Sequence, residues 1–323
     1  MRLLKAALIS LFCIVGATAA CAQADFPNRP VRMILPYPAG GIVDIVVRIV
    51  TSKISAEWGQ PIVIEAKPGA NGNLAWQQVA RAEPDGYTWT FYSPAVVANP
   101  RMEANAPFSE KDFVPIGGMV WSPGVLVTHP DVPVKSLKEF VEHVQKNPGK
   151  LNWAIGGVGT SYHFNSEIFF RGAKVEFLKV PYRGQPPAIP DLVTGRIQAG
   201  MFSPTLLLQY IKEGKLRALA VIAKNRLPEL PDVPTMAEAG YPDTNVVAWY
   251  GLSAPKGTPK AIVDKIIAGV NAALKDPDVR ASLQKQMTEV MAPATAAELQ
   301  ALVDADVLKY GKIIEEAGIK LNP

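Results

Sequence analysis

Cysteine is almost missing from this chain. Among 323 residues there are two, Cys13 and Cys21, and both precede Asp25. If that segment is removed, no thiol, disulfide or cysteine-ligated metal site is left; an oxidising compartment permits disulfides but does not require them. Histidine is scarce too, with only His129, His143 and His163, and no His/Asp/Glu cluster has metal-ligand spacing. There is no dense Lys/Arg stripe with interleaved aromatics, so no nucleic-acid partner is expected. Past residue 24 no stretch is apolar for the about 20 residues that a membrane span needs. Nucleotide motifs fail as well. Gly157-Val158-Gly159 has Tyr162 where a dinucleotide fingerprint needs its third glycine, and no glycine turn ends in Gly-Lys-Ser/Thr. A Gly-x-Ser-x-Gly nucleophile elbow is also lacking. No cofactor and no metal are expected.

What is present starts with a leader. Arg2 and Lys5 precede an apolar run from Ala6 to Val15, and small residues lead to Ala22-Gln23-Ala24. That order of parts predicts a signal peptide over residues 1–24, cleaved after Ala24, and a periplasmic location. A lipidated Cys21 is the variant reading, but Thr18 stands where an aliphatic residue is usual. The leader carries two positive charges and no acid, so it holds half of the formal net charge of +4. The remainder suits two domains of ordinary size.

Short apolar runs then alternate with amphipathic stretches. Val31–Leu35, Ile62–Glu65 and Thr88–Tyr92 read as strands, with helices over Ile42–Ala56 and Leu74–Ala82 between them. The β-α-β-α-β order predicts an α/β sheet with helices on its faces. The pattern restarts with strands at Val125–Val127, Leu151–Ile155, Phe177–Val180, Ala199–Phe202 and Leu216–Ile222. Thr235-Met236-Ala237-Glu238 has the form of a capping box and predicts a short helix. Two long extended segments, near Phe113–Thr128 and Val246–Ser253, are placed to carry the chain between two lobes. Lobe 1 is then discontinuous, residues 25–120 plus 248–323, and lobe 2 spans 121–247.

Two glycine-rich strand-to-helix turns stand out, Pro36-Tyr37-Pro38-Ala39-Gly40-Gly41 and Gly156-Gly157-Val158-Gly159-Thr160-Ser161. Glycine lets the backbone approach a ligand closely, and the following helix offers unpaired N–H groups and the positive end of its dipole. Either turn alone is as readily a packing device; two, one per lobe, suggest a cleft that grips an anion from both sides. Asp44 reads as dipole stabilisation in the first helical turn rather than as a ligand contact. His163 reads first as a packing or locally hydrogen-bonded residue, and second as a ligand donor. Arg183 suits a surface ion pair or a bidentate grip on a carboxylate equally well.

Many short segments, in order and spacing, resemble one family. They include Phe26-Pro27-Asn28-Arg29-Pro30, Gly69-Ala70-Asn71-Gly72-Asn73, Pro84-Asp85-Gly86-Tyr87-Thr88, Val180-Pro181-Tyr182-Arg183-Gly184, Gly214-Lys215-Leu216-Arg217-Ala218 and Ala254-Pro255-Lys256-Gly257-Thr258-Pro259. The chain resembles the receptors of tripartite tricarboxylate transporters, the Bug family, nearly end to end. The resemblance implies a type II periplasmic-binding-protein fold, two α/β lobes around a ligand cleft, with no enzymatic activity. It implies capture of a small carboxylate and its delivery to the membrane permease subunits of such a transporter, by a protein expected to be a monomer. Its binding residues, carried over, are Tyr37, Pro38, Ala39, Gly40 and Gly41 from the first turn and Gly157, Val158, Gly159, Thr160, Ser161 and His163 from the second. Ser93, Tyr182, Arg183, Gly184, Gln185, Phe202, Ser203 and Pro204 complete the cleft.

Two departures matter. Ala39 replaces a proline or glycine, and Ser203 stands where an aspartate suited to an amino group is frequent; its absence favours a ligand without an ammonium. Phe202, Tyr37 and Trp249 are expected as an apolar wall. The competing readings are an exported hydrolase using Ser161 and His163, and a sensor that hands the loaded state to a signalling partner.

Overall fold

A computed structural model describes residues 26–103, 105–291 and 295–319. The expected leader, with Cys13, Cys21 and the cleavage point after Ala24, lies outside the described residues. Among them no helix is long and apolar enough to cross a membrane.

The first lobe is built on a six-stranded sheet. In space its order is β11 (Glu289–Val290), β4 (Phe113–Ser122), β10 (Ala248–Pro255), β3 (Thr88–Tyr92), β1 (Val31–Leu35) and β2 (Ile62–Ala66). β1 pairs in parallel with β2 and β3, whereas β10 runs antiparallel to β3 and β4. Four of the five β1 positions are buried, as befits a strand covered on both faces. Helix α1 (Ile42–Trp58) presents Ile42, Val43, Val46, Val47, Val50 and Ile54 to that sheet, the spacing of one helical face. It stops at Gly59, whose φ of 64° is left-handed.

The second lobe holds a five-stranded sheet: β7 (Leu178–Pro181), β6 (Asn152–Ile155), β8 (Ala199–Phe202), β5 (Gly124–Thr128) and β9 (Arg217–Ile222). Helices α4 (Leu137–Lys146), α5 (Ser161–Ala173), α6 (Ile189–Val193) and α7 (Pro204–Lys212) belong to this half. The chain passes between sheets through Pro123 alone on the way out and through 223–247 on the way back. Helices α8 (Lys260–Lys275), α9 (Pro277–Lys285) and α10 (Ala296–Ala317) follow the return. α10 reaches across to the second lobe, where the Tyr310 and Phe164 rings lie 4.4 Å apart and Arg171 pairs with Glu316 at 3.0 Å. The expected two-lobed α/β fold is the one found.

One helix goes unforeseen, and one local expectation fails. The segment Pro94–Met102 is helical, although the sequence suggests no helix there. Pro94 occupies the first turn, where its missing N–H costs nothing, but Pro100 inside the helix removes a hydrogen bond. Arg101 Nη1 donates to the Val97 carbonyl at 2.5 Å, which leaves the Val96 carbonyl, the acceptor Pro100 fails to serve, as it was. Conversely, the Thr235–Glu238 capping box forms, with the Glu238 N–H on Thr235 Oγ1 at 3.1 Å and the Thr235 N–H on Glu238 Oε2 at 2.7 Å. No helix follows it, because Gly240 adopts a φ of 94° and Pro242 stands two residues later.

Candidate functional site

The two lobes close on a shared cavity. Three helix N-termini meet there. α1 begins at Gly41, which has no side chain to cap it. The helix Pro94–Met102, hereafter αP, begins at Ser93, whose hydroxyl makes no capping bond. From the opposite lobe comes α5, capped by Thr160, whose Oγ1 accepts the His163 N–H at 3.4 Å and donates to the Gly157 carbonyl at 2.8 Å. Gly41, Ile42 and Val43, Ser93 and Pro94, and Thr160, Ser161 and Tyr162 all line the cavity. Each N-terminus carries unpaired N–H groups and about half a positive charge. Among the described residues none that lines the cavity is charged, so the positive potential is that of the backbone.

Aromatic rings make the walls. Tyr37 stands edge-on to Phe91, centroids 6.0 Å apart, and burial pushes its phenol pKa up, with Ser93 partly opposing the shift. Tyr162 from the second lobe and Tyr250 from the first bring their hydroxyls to 3.5 Å, and Tyr162 also meets Ser122 Oγ at 3.2 Å and the Pro123 carbonyl at 3.0 Å. Burial raises both phenols, Tyr250 the further, so both stay protonated near neutrality. Ser161 is buried, lines the cavity, and its Oγ lacks a hydrogen-bond partner among the described residues.

Of the expected binding residues, the structure gathers Tyr37, Pro38, Gly41, Ser93, Thr160, Ser161, Gly184 and Gln185 around the cavity. The lobes touch where Pro38 meets Gly184: a methyl group on Gly184 would sit 2.8 Å from Pro38 Cδ. Others are placed elsewhere. Ala39 and Gly40 are exposed, and the Gly40 N–H is taken by Asp44 Oδ2 at 3.1 Å, while Arg48 Nε holds Asp44 Oδ1 at 2.9 Å. Gly157, Val158 and Gly159 stand behind the α5 terminus rather than in the wall. Tyr182 donates to Asp191 Oδ2 at 2.6 Å; burial and that carboxylate push its phenol up to about 12. Arg183 is exposed beside Gly184.

Phe202 is buried against Gly156 and Gly200, and the Ser203 N–H, at the start of α7 before Pro204, is accepted by Gln185 Oε1 at 2.7 Å. Trp249 is also buried away from the cavity, with Nε1 donating to Asp306 Oδ2 at 2.7 Å. Strand alternation explains this: on β10, Ala248 and Tyr250 face the cavity and the residue between them faces the other way. His163 is engaged with Gly159 and Glu167, and no bond joins it to Ser161 Oγ, so the pair needed by a serine hydrolase is not formed. Phe91, Pro94, Gly156, Tyr162, Pro186, Ala248 and Tyr250 also line the cavity. The sequence reading missed them because several reach it only through the return of β10 beside β3.

Comparison with known proteins fits this geometry. A family model described as "Tripartite tricarboxylate transporter family receptor" matches residues 46–319. The chain is similar to the periplasmic binding protein BugD, with 35% identity and a TM-score of 0.86 over 91% of this chain and 99% of the other. It is similar to MatC of Rhodopseudomonas palustris, solved with bound malate, at 35% identity and a TM-score of 0.83 over 90% and 100% of the two chains. R. palustris Rpa4515 with adipate matches at 29% identity and a TM-score of 0.86, over 91% and 99%. The chain belongs to the tripartite tricarboxylate transporter receptor family, the Bug solute-binding proteins, which capture a solute and do not convert it.

Proposed function

We propose that the interlobe cavity captures a small carboxylate without an ammonium group, and that the lobes close over it as a hinge. One observation carries the reading: three helix N-termini from both lobes converge on a cavity with no charged side chain. Such an arrangement stabilises an anion by fixed dipoles and backbone N–H groups. It offers no carboxylate to an amino group. The hinge is Pro123 and residues 223–247, close to the expected division into lobe 1, 25–120 plus 248–323, and lobe 2, 121–247, with Trp121 and Ser122 of β4 kept in the first sheet. Closure is favoured only by a ligand that touches both lobes. Tyr37, Pro38, Gly41, Ser93 and Pro94 offer contacts from one, and Thr160, Ser161, Tyr162, Gly184 and Gln185 from the other.

The malate- and adipate-bound relatives support a dicarboxylate of similar size. We further propose that the protein acts in the periplasm after cleavage behind Ala24 and hands its ligand, as a monomer, to the permease subunits of a tripartite tricarboxylate transporter. Thermal-shift and calorimetric titration with malate, adipate, citrate, terephthalate and aspartate test the ligand class. At least one of the first four should raise the melting temperature, since a ligand of the folded form alone stabilises it. Tight aspartate binding with no response to the others would sink the reading.

A further inference from the structure

The second glycine turn is held from behind by a histidine that does not reach the cavity. Gly159 has a φ of 80°, and its N–H donates to His163 Nδ1 at 3.2 Å. A nitrogen that accepts carries no hydrogen, so the neutral ring bears its proton on Nε2. Nε2 faces Glu167 Oε1 at 3.6 Å, and Lys179 Nζ lies 2.6 Å from the same oxygen. Burial pushes the Glu167 carboxyl up, but His163 and Lys179 outweigh it and hold the group below the usual carboxylate range. His163 and Glu167 are both buried. On the far side the turn meets the first lobe: a methyl group on Gly159 would lie 2.1 Å from Asn99 Oδ1 and 2.8 Å from Met102 Cε. The turn therefore has no room to slide toward αP.

We propose that His163 is a positioning residue for ligand capture. Its neutral Nδ1 fixes Gly159, and through it Thr160 and Ser161, so that the α5 N-terminus meets the carboxylate in one geometry. The titratable groups facing the ring are Glu167 on its own helix and Lys179 from β7, of opposite sign, with the Tyr310 phenol of α10 beyond Phe164; αP turns only uncharged Asn99 and Met102 toward the turn.

This inference rests on the proposed carboxylate capture, and the test separates the two. His163→Asn keeps an acceptor near the Nδ1 position and cannot gain a proton; His163→Gln places its amide near Nε2 and loses that acceptor. Calorimetry with malate and adipate should find His163→Asn close to the parent at about pH 7.5, and His163→Gln weaker by about tenfold, the scale of one hydrogen bond. On ligand-free protein, long-range ¹H–¹⁵N spectra should show the Nε2–H tautomer, and Gly159 amide exchange should quicken in His163→Gln only. Equal affinities and equal Gly159 exchange in the two variants, or an Nδ1–H tautomer, overturn the proposal. If the parent binds neither probe, the carboxylate reading fails, and the Gly159 and tautomer measurements still decide the role of His163.

Discussion

The Asn165 carboxamide grips the backbone of Val246 with two hydrogen bonds. Nδ2 donates to the Val246 carbonyl at 2.8 Å, and Oδ1 accepts the Val246 N–H at 3.0 Å. The residue is fully buried, and it ties α5, whose N-terminus enters the cavity, to the return crossing between the lobes. Replacing it with leucine leaves two backbone groups buried without partners, at about 1–3 kcal/mol each. Asn165→Leu should lower stability by roughly 2–4 kcal/mol in urea denaturation, and an unchanged midpoint would show that the crossing is held by something else.

Contact between the lobes at Pro38 and Gly184 gives a second prediction. Gly184 has a φ of 142°, and an added methyl would lie 2.8 Å from Pro38 Cδ. Gly184→Ala should weaken carboxylate binding by about tenfold or more through strain and a wedged seam. The circular dichroism spectrum should stay the same. Calorimetry checks the first outcome, and small-angle scattering of the loaded protein should show incomplete closure.

Ser161 sits in the first turn of α5 and is one of the residues that line the cavity. Ser161→Asp puts a carboxylate where the ligand's own is proposed to lie. Like charges about 4 Å apart cost about 4 kcal/mol at an effective dielectric near 20. Loss of affinity should therefore exceed about a hundredfold, while the melting temperature falls, because the position is buried and the new charge has no partner there. Ordinary ligand affinity in this variant would place the anion elsewhere.

Asp306 supplies a pH dependence of stability. Burial raises its pKa from 3.8 to about 6, against the Trp249 hydrogen bond and the more distant Lys309. A carboxyl whose folded pKa lies above its unfolded one is protonated longer in the native state, so its contribution falls as pH rises from about 4 to about 6. Above that window it is a net cost. Asp306→Asn, which still accepts from Trp249 Nε1, should stabilise the protein at neutral pH by about 1–3 kcal/mol, with the gain fading below about pH 4. Urea midpoints at both pH values decide it.

Much of the fold was legible because α1, β1 and the glycine turns obey simple periodicities and punctuation. Residues whose placement depends on tertiary partners were not. Pro94 and Pro100 hide a helix that its buried packing sustains. Trp249 reads as a ligand-facing aromatic until the register of β10 turns it onto Asp306. Gly40 reads as an anion donor, yet its N–H is committed to Asp44, four residues along. The site was half visible for the same reason: its turns are local signals, whereas Tyr162 meets Tyr250 across 88 residues.

The position of β10 between β3 and β4 bears on how the protein is made. Among the described residues, sheet hydrogen bonds link β4 to β3 only through this strand, and it is synthesised after the whole of the second sheet. A nascent chain on the ribosome can finish its second lobe while its first still consists of the three-stranded β2-β1-β3 unit and an unpaired β4. Products that stop short of Pro255 should therefore carry an intact β5–β9 half and no competent cavity.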